Sequence, residues 1–136
     1  HDESVKMHEW LNRNTEEFIE LLKIPYHTVT NCGGDLGLGQ VKKYDIELWV
    51  PGEKTYREIS SASYFHDFQT RRLNIRYRDE SDGAMRFAHS LNSTAIPTPR
   101  ILVSIVENYQ QGDGSIRVPE ALIPYVGKEV IGPTSA

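Results

Sequence analysis

Apolar residues near the start of the chain recur every three or four positions, as they do along one face of an amphipathic helix. Glu and Lys residues fill much of the space between the apolar positions, which are Met7, Trp10, Leu11, Phe18, Leu21 and Leu22. Ser4 is a candidate N-cap, and Pro25 marks the point beyond which a helix cannot continue. The spacing therefore predicts a helix over residues 4–23.

Alternation of apolar and polar residues follows, and it predicts short β-strands. The segments with this pattern are residues 26–30, 44–50, 56–61, 73–78 and 87–91. The turn sequence Pro51-Gly52-Glu53-Lys54 separates the second segment from the third. These two segments are therefore expected to form an antiparallel hairpin.

A second helix is predicted over residues 100–110, which are apolar nearly all round. Thr98 is expected to cap it and Pro99 to occupy its first turn, where the missing N–H costs nothing. A helix of this composition is expected to be buried. Residues 132–136 are predicted to be a frayed tail. The elements together predict an α+β fold in which helices flank an antiparallel sheet.

Composition is that of a globular domain. The chain has 136 residues, 38% of them hydrophobic and 25% charged, which fits one domain or a large piece of one. Its apolar runs are far shorter than the roughly 20 residues that span a bilayer, so no membrane association is expected. The chain begins with His1 and shows no signal-peptide pattern, so we expect a trimmed or truncated polypeptide.

Charge and cysteine content narrow the function classes. The net charge of −4 lacks the basic footprint of a domain that grips nucleic acid, although Arg71, Arg72, Arg76 and Arg78 form a local basic stretch. A single cysteine, Cys32, excludes an internal disulfide. Because the five histidines are scattered, Cys32 is interpreted as a small buried thiol rather than a zinc ligand.

Glycines are concentrated in residues 31–39, where four occur within seven positions. That density requires a backbone reason, such as positive φ angles or the close approach of another group. No Lys-Ser or Lys-Thr pair follows, as a phosphate-binding loop would require. The segment is therefore equally consistent with a tight connection.

Polar residues at the ends of predicted strands are candidates for chemistry. Glu58 and Ser61 could share a magnesium ion with nucleotide phosphates, but strict alternation puts them on opposite faces unless a bulge or turn occurs at Ser60. A solvated strand edge is the alternative interpretation. Asn92 and Thr94 could bind a small hydroxylated ligand, or they could serve as ordinary turn and capping residues.

Arg100 is the sharpest anomaly in the sequence. It opens an otherwise apolar helix, where a positive charge opposes the helix macrodipole. A buried arginine at that point requires an anion or an aromatic plane, and a nucleotide supplies both.

Several strings resemble the seryl-tRNA synthetases of the common bacterial and eukaryotic type. They occur in that family's order and spacing and cover nearly the whole chain, so that together they are specific although no single one is decisive. The strings are Gly34-Asp35-Leu36-Gly37, Lys42-Lys43-Tyr44-Asp45-Ile46-Glu47-Leu48-Trp49, Tyr56-Arg57-Glu58-Ile59-Ser60-Ser61, Phe68-Gln69-Thr70-Arg71-Arg72-Leu73-Asn74-Ile75-Arg76, Leu91-Asn92-Ser93-Thr94, Val106-Glu107-Asn108-Tyr109-Gln110 and Val118-Pro119-Glu120.

The resemblance implies a class II synthetase catalytic fold and a two-step reaction. Serine would be activated with ATP to seryl-adenylate, and the seryl group would then pass to the 3′-terminal hydroxyl of tRNA(Ser). Glu58 and Ser61 match the residues that hold the magnesium ion on ATP, and Arg100 matches the motif 3 arginine near the adenine and the γ-phosphate. Glu58 and Arg100 are thereby the catalytic candidates. Asn92 and Thr94 match residues that line the serine pocket.

The resemblance also implies what lies outside this chain. Residues 1–136 correspond to the C-terminal portion of the catalytic domain, including motif 3. The N-terminal tRNA-binding arm and motifs 1 and 2 are absent, so the chain alone is expected to be inactive. The parent is expected to be a cytoplasmic homodimer, or alternatively a mitochondrial or plastid enzyme.

Departures from the family pattern leave two other functions open. Cys32-Gly33-Gly34 stands where Cys-Thr-Gly is usual, Tyr64-Phe65-His66 replaces a segment that usually carries Asn, and Pro97 and Pro99 interrupt a run of small residues. None of these touches a candidate site residue. The alternatives are a catalytically inactive synthetase-like interaction protein and a ligase that loads an amino acid onto a carrier protein.

Overall fold

The computed structural model describes residues 2–132, which contain four α-helices and eight β-strands. The helices are α1 (Asp2–Leu22), α2 (Phe68–Leu73), α3 (Thr98–Tyr109) and α4 (Ile123–Val126). The strands are β1 (Tyr26–Thr30), β2 (Lys42–Val50), β3 (Thr55–Tyr64), β4 (Arg76–Arg78), β5 (Met85–Phe87), β6 (Leu91–Ser93), β7 (Ile116–Arg117) and β8 (Val130–Ile131). The predicted tail, residues 132–136, lies outside the described residues from position 133 onward.

A four-stranded antiparallel sheet in the order β1-β2-β3-β6 forms the centre, and α1 and α3 pack against it. Alternation along β2 turns Ile46 and Leu48 toward the helices, where both are buried. The core cluster consists of Ile19, Leu22, Ile24, Ile46, Leu48, Ile59 and Ile101. The small pairs β4-β5 and β7-β8 lie outside this sheet. The predicted α+β class is confirmed.

The amphipathic helix and the hairpin agree with their predictions, except at the helix start. Helix α1 already includes Asp2, so Ser4 is a helical residue and not the N-cap. It ends where Lys23 turns to a positive φ of 54° ahead of Pro25. Strand β1 has the predicted bounds, and β2 and β3 pair antiparallel as the turn sequence predicted.

Helix α3 differs from its prediction in cap and in burial. Thr98 is its first helical residue, and Pro97 occupies the N-cap position without a side-chain capping bond. The predicted burial is wrong, because the sheet covers one side of the helix. Ile101 and Ser104 are buried there, whereas 56% of Leu102 is exposed.

The stretch predicted as a strand over residues 73–78 is divided between α2 and β4. Asn74 adopts a left-handed conformation with φ of 55°, and its N–H donates to the carbonyls of Thr70 and Arg71. This closes the helix, so the extended backbone begins only at Arg76. The strand predicted over residues 87–91 is likewise replaced by the ends of β5 and β6.

The glycine-rich segment is a loop with one 3₁₀ turn, Gly33–Asp35. Gly39 needs to be glycine on two grounds. Its φ is +83°, and the Phe68 ring occupies the space that a Cβ would take. Cys32 is exposed, so its interpretation as a buried thiol is wrong. Within residues 2–132, His, Cys, Asp and Glu form no cluster of three or more that could hold a metal ion. In the same stretch of chain, every helix is too short or too polar to cross a membrane.

Candidate active site on the open face of the sheet

A β-bulge in β3 puts Glu58 and Ser61 on the same face of the sheet. Ser60 pairs with Ile46, Glu58 pairs with the next residue of β2, and Ile59 is the extra residue between them. Ile59 and Ser60 are both buried, at 2% and 3% exposure. The bulge that Glu58 and Ser61 would need near Ser60 in order to share a magnesium ion is thus present.

The partners of these two residues identify the face. In β2, Asp45 and Glu47 alternate with the core residues and therefore point away from the helices. Asp45 is opposite Ser61, and Glu47 is opposite Glu58. Because paired residues share a face, Glu58 and Ser61 also point away from α1 and α3. We call this surface, which also carries Ser63 and Asn92, the open face.

The two residues predicted to bind a small hydroxylated ligand lie beside β3. Asn92 in β6 is paired with Ser63, which assigns its side chain to the open face. Thr94 follows β6 directly, and its backbone carbonyl accepts a hydrogen bond from the Ser60 hydroxyl at 2.8 Å. The side chains of Asn92 and Thr94 are exposed. The backbone therefore holds both residues while their side chains are available to a ligand.

Arg100 extends from the first turn of α3 to the edge of β3. Strand β6 pairs with β3 only over residues 62–64, so the earlier part of β3 has no partner on that side among the described residues. There the Arg100 guanidinium donates to the backbone carbonyl of Glu58 at 3.0 Å and lies 3.7 Å from its Oε1. The Arg100 side chain is 57% exposed, so its expected burial is wrong, whereas an anionic neighbour is present.

Of the five predicted residues, Glu58 and Arg100 are in direct side-chain contact. They border a cleft of about 380 Å³ between α3 and the hairpin, which is lined by Val50, Glu53, Arg57, Glu58, Ile59, Arg100, Val103 and Ser104. Ser61 and Asn92 share the open face with Glu58 through strand pairing. The fold thus brings residues more than 40 positions apart in sequence to one region.

Charge is balanced across the open face in a row of side chains. Glu47 and Glu58 are directly opposite each other, an arrangement that is destabilising for like charges. His27 Nε2 lies 2.5 Å from the Glu47 carboxylate, and Arg100 approaches the Glu58 carboxylate from the other side. Each carboxylate therefore has its own cationic or hydrogen-bonding neighbour.

Asp45 is a polar position in the alternating segment 44–50, and the sequence predicted neither its burial nor its hydrogen-bond partners. Asp45 is only 8% exposed, Asn31 Nδ2 donates to its Oδ2 at 2.6 Å, and Lys43 Nζ lies 3.1 Å from the same oxygen. The alternation of Lys43, Asp45 and Glu47 was the available signal. It indicated a shared face, but not that a loop residue would cover that face.

The donor set fits a magnesium ion that is shared with a nucleotide. Mg²⁺ in nucleotide sites is held by one or two protein oxygens and completed by phosphates and water. The Glu58 carboxylate and the Ser61 hydroxyl supply such oxygens on one face. The Glu58 side chain is 43% exposed, which leaves it open to an incoming ion.

Comparison with known proteins identifies the fold family. The family model "tRNA synthetase class II core domain (G, H, P, S and T)" matches residues 1–109. The serine–tRNA ligase of Deinococcus radiodurans is 52% identical over 132 residues, which is 96% of this chain and 31% of that protein.

Solved structures agree with this assignment. The seryl-tRNA synthetase of Pyrococcus horikoshii, complexed with ATP, superposes with a TM-score of 0.93 at 50% identity, over 98% of this chain and 30% of that one. The cytoplasmic serine–tRNA ligase of Naegleria fowleri, in complex with AMP, superposes with a TM-score of 0.90 at 39% identity, over 99% of this chain and 32% of that one. The chain thus spans about a third of the length of these relatives. It belongs to the class II tRNA synthetase core-domain family, and the members it matches at about half identity are serine–tRNA ligases.

Proposed function

We propose that the full-length protein is a serine–tRNA ligase, which activates serine with ATP and transfers the seryl group to tRNA(Ser). The observation that carries the proposal is the contact of Arg100 with Glu58 at the edge of β3, together with Ser61 on the same face of the sheet as Glu58. An acid, a hydroxyl and a guanidinium in this arrangement suit a nucleotide triphosphate with its cation.

The nucleotide half of the site is assigned to Glu58, Ser61 and Arg100. Glu58 and Ser61 would hold Mg²⁺, which neutralises phosphate charge during attack at the α-phosphate. Arg100 would lie against the nucleotide and present a fixed planar donor to it. The Pyrococcus horikoshii relative, whose structure is complexed with ATP, supports a nucleotide in this fold.

The serine half is assigned to Asn92 and Thr94. Both are small polar residues with exposed side chains next to β3. The hydrogen bond from Ser60 holds the Thr94 backbone, so the threonine hydroxyl is available for a substrate hydroxyl. A site that bonds a substrate hydroxyl discriminates strongly against amino acids that lack one.

We further propose that residues 1–136 are the C-terminal part of the catalytic domain, with motif 3 in α3. The parent would act in the cytoplasm as a homodimer and bind tRNA mostly through an N-terminal arm. The share of the relatives' length that this chain spans, about a third, supports its being part of a larger enzyme.

The test is serine-dependent ATP–pyrophosphate exchange by the full-length protein. We expect exchange in the wild type and a loss of about a thousandfold or more in Glu58→Ala, since a charge-neutralising ligand is removed. Glu3→Ala is the control, because Glu3 is an exposed carboxylate on α1 that pairs with Lys6 and lines no part of the cleft beside Glu58 and Arg100.

The same assay separates the alternatives. Exchange without charging of tRNA would favour a ligase that loads a carrier protein. No exchange in the wild type would favour an inactive interaction protein. Near-wild-type exchange in Glu58→Ala would contradict the assignment of Glu58.

A further inference from the structure

The carboxylate of Asp45 contains an oxygen without a hydrogen-bond partner. Its Oδ2 accepts from Asn31 and contacts Lys43, but its Oδ1 is inaccessible to solvent and unpaired, as is Oδ1 of Asn31. A buried carboxylate oxygen left unpaired costs free energy, so such atoms usually have a function or a partner in another state.

The position of Asp45 indicates which group supplies the missing donor. Ser61 is its direct partner across β2 and β3 and points to the same face. Side chains in that relationship have Cβ atoms about 5 Å apart. This pairing makes the Ser61 hydroxyl the candidate donor to Asp45. A free ligand is the weaker candidate, since Asp45 Oδ1 is buried.

We propose that Asp45 is a positioning residue for Ser61. Its Oδ1 accepts a hydrogen bond from the Ser61 hydroxyl when the oxygen of that hydroxyl ligates the cation on ATP. The inference rests on the proposed function, because it concerns the ligand set assigned to Glu58 and Ser61.

The chemistry of a hydroxyl ligand explains the need for such a residue. A neutral hydroxyl binds a cation through a lone pair, and its proton must point elsewhere. A fixed acceptor behind the hydroxyl orients that lone pair toward the cation and strengthens the ligand. Asn31 and Lys43 together hold Asp45 Oδ2, which leaves Oδ1 to act as this acceptor.

The experiment measures cation affinity and not turnover. Mn²⁺ is titrated into the full-length protein saturated with a non-hydrolysable ATP analogue, and free Mn²⁺ is read by electron paramagnetic resonance. The proteins are wild type, Ser61→Ala, Asp45→Asn and the double variant. Ser63→Ala is the matched control, because this serine is on the same strand and face but bonds to Gln40.

We expect Ser61→Ala and Asp45→Asn each to weaken Mn²⁺ binding about tenfold or more. In the Ser61→Ala background, Asp45→Asn should add less than twofold, because its partner is gone. Ser63→Ala should stay within twofold of wild type. Independent, multiplying effects of the two substitutions would overturn the proposal.

Two further results keep the outcomes separable. If Ser61→Ala binds Mn²⁺ as wild type does, the magnesium assignment in the proposed function fails. If Ser61→Ala weakens binding and Asp45→Asn does not, only the positioning role fails. Should Asp45→Asn not fold, the combined substitution Asp45→Asn/Lys43→Met takes its place in the cycle, because it removes both partners of the buried pair and leaves neither charge uncompensated.

Discussion

Arg100 contacts two oxygens of Glu58 through Nη1. This nitrogen donates to the backbone carbonyl of Glu58 at 3.0 Å and lies 3.7 Å from the carboxylate Oε1. The pair connects the start of α3 to an edge of β3 that has no neighbouring strand within residues 2–132. A positive charge at a helix N-terminus opposes the macrodipole. Here it is compensated by a carbonyl, a carboxylate and partial exposure to solvent.

Substitution of Arg100 is expected to impair ATP use more than serine use. Arg100→Ala in the full-length protein should raise the KM for ATP in pyrophosphate exchange about tenfold or more, because a charged donor to the nucleotide is lost. Arg100→Lys should rescue little of this, since an ammonium lacks the planar guanidinium that stacks on a base and donates two parallel hydrogen bonds to a phosphate. A lysine variant with the wild-type KM for ATP would show that charge alone suffices.

Thr94→Val tests the serine half of the site. Valine keeps the shape of threonine but cannot bond a hydroxyl, so kcat/KM for serine should fall about tenfold or more while the KM for ATP changes little. The fold should be preserved, because Ser60 bonds the backbone carbonyl of Thr94 and not its side chain.

Thr94→Ser is the control for that substitution. It retains a hydroxyl and should keep serine use within a few-fold of wild type. If Thr94→Val changed only the KM for ATP and left kcat/KM for serine unchanged, Thr94 would be a structural turn residue instead.

Local pattern predicted the central hairpin because burial there follows from alternation. Ile46 and Leu48 point to the helices as their spacing requires. The bulge in β3 followed only from the hypothesis that Glu58 and Ser61 share a cation. The strand predicted from Leu73 was wrong. Leu73 is the last residue of α2, which ends at the left-handed Asn74, although the alternating residues there are typical of a strand.

The site could be predicted only in part. Its residues stood out by their positions at strand ends and at a helix start, whereas their roles came from a resemblance and stay predictions. The contact between Arg100 and Glu58 joins positions 42 apart in the chain, which no local pattern encodes. The burial of Asp45 was missed because Asn31, from the loop after β1, donates to it over the sheet.

His89 provides a test by pH. Tyr64 Oη and His89 Nδ1 lie within hydrogen-bond distance of each other, at 2.8 Å. Burial lowers the pKa of His89 below its ordinary value of 6.5, and the nearby His66 lowers it further, while Asp67 acts in the opposite direction.

The sign of the pH effect follows from the lowered pKa. Between the folded pKa and about 6.5 the unfolded chain binds more protons, so the free energy of unfolding decreases as pH falls through that window. This contribution is fully present above about pH 6.5. NMR titration of the His89 Cε1–H should give a midpoint below 6.5, and a midpoint at or above that value would contradict the assignment.

His89→Asn is the matched variant for the unfolding measurement. The amide of asparagine can replace Nδ1 as the hydrogen-bond partner of Tyr64 Oη, because it offers both a donor and an acceptor, but it does not titrate. Denaturant unfolding at about pH 5.5 and about pH 7.5 should therefore show a smaller pH dependence in the variant than in the wild type. An unchanged dependence would assign the effect to other groups.

The apolar cleft between α1, α3 and α4 predicts self-association of the 136-residue chain when it is expressed by itself. Phe18, Leu21 and Tyr125 line this cleft of about 310 Å³ and are 57%, 60% and 87% exposed. Contiguous exposed apolar surface of this kind favours association in water. Leu21→Gln should shift the concentration-dependent mass, measured by sedimentation, toward monomer. It should change thermal stability little, because little buried area is lost.

Leu38→Gln is the control, since Leu38 is 87% exposed but does not line the cleft. If both variants reduced association equally, general surface hydrophobicity and not this cleft would be the cause, and a wild-type chain that stayed monomeric at high concentration would contradict the prediction outright.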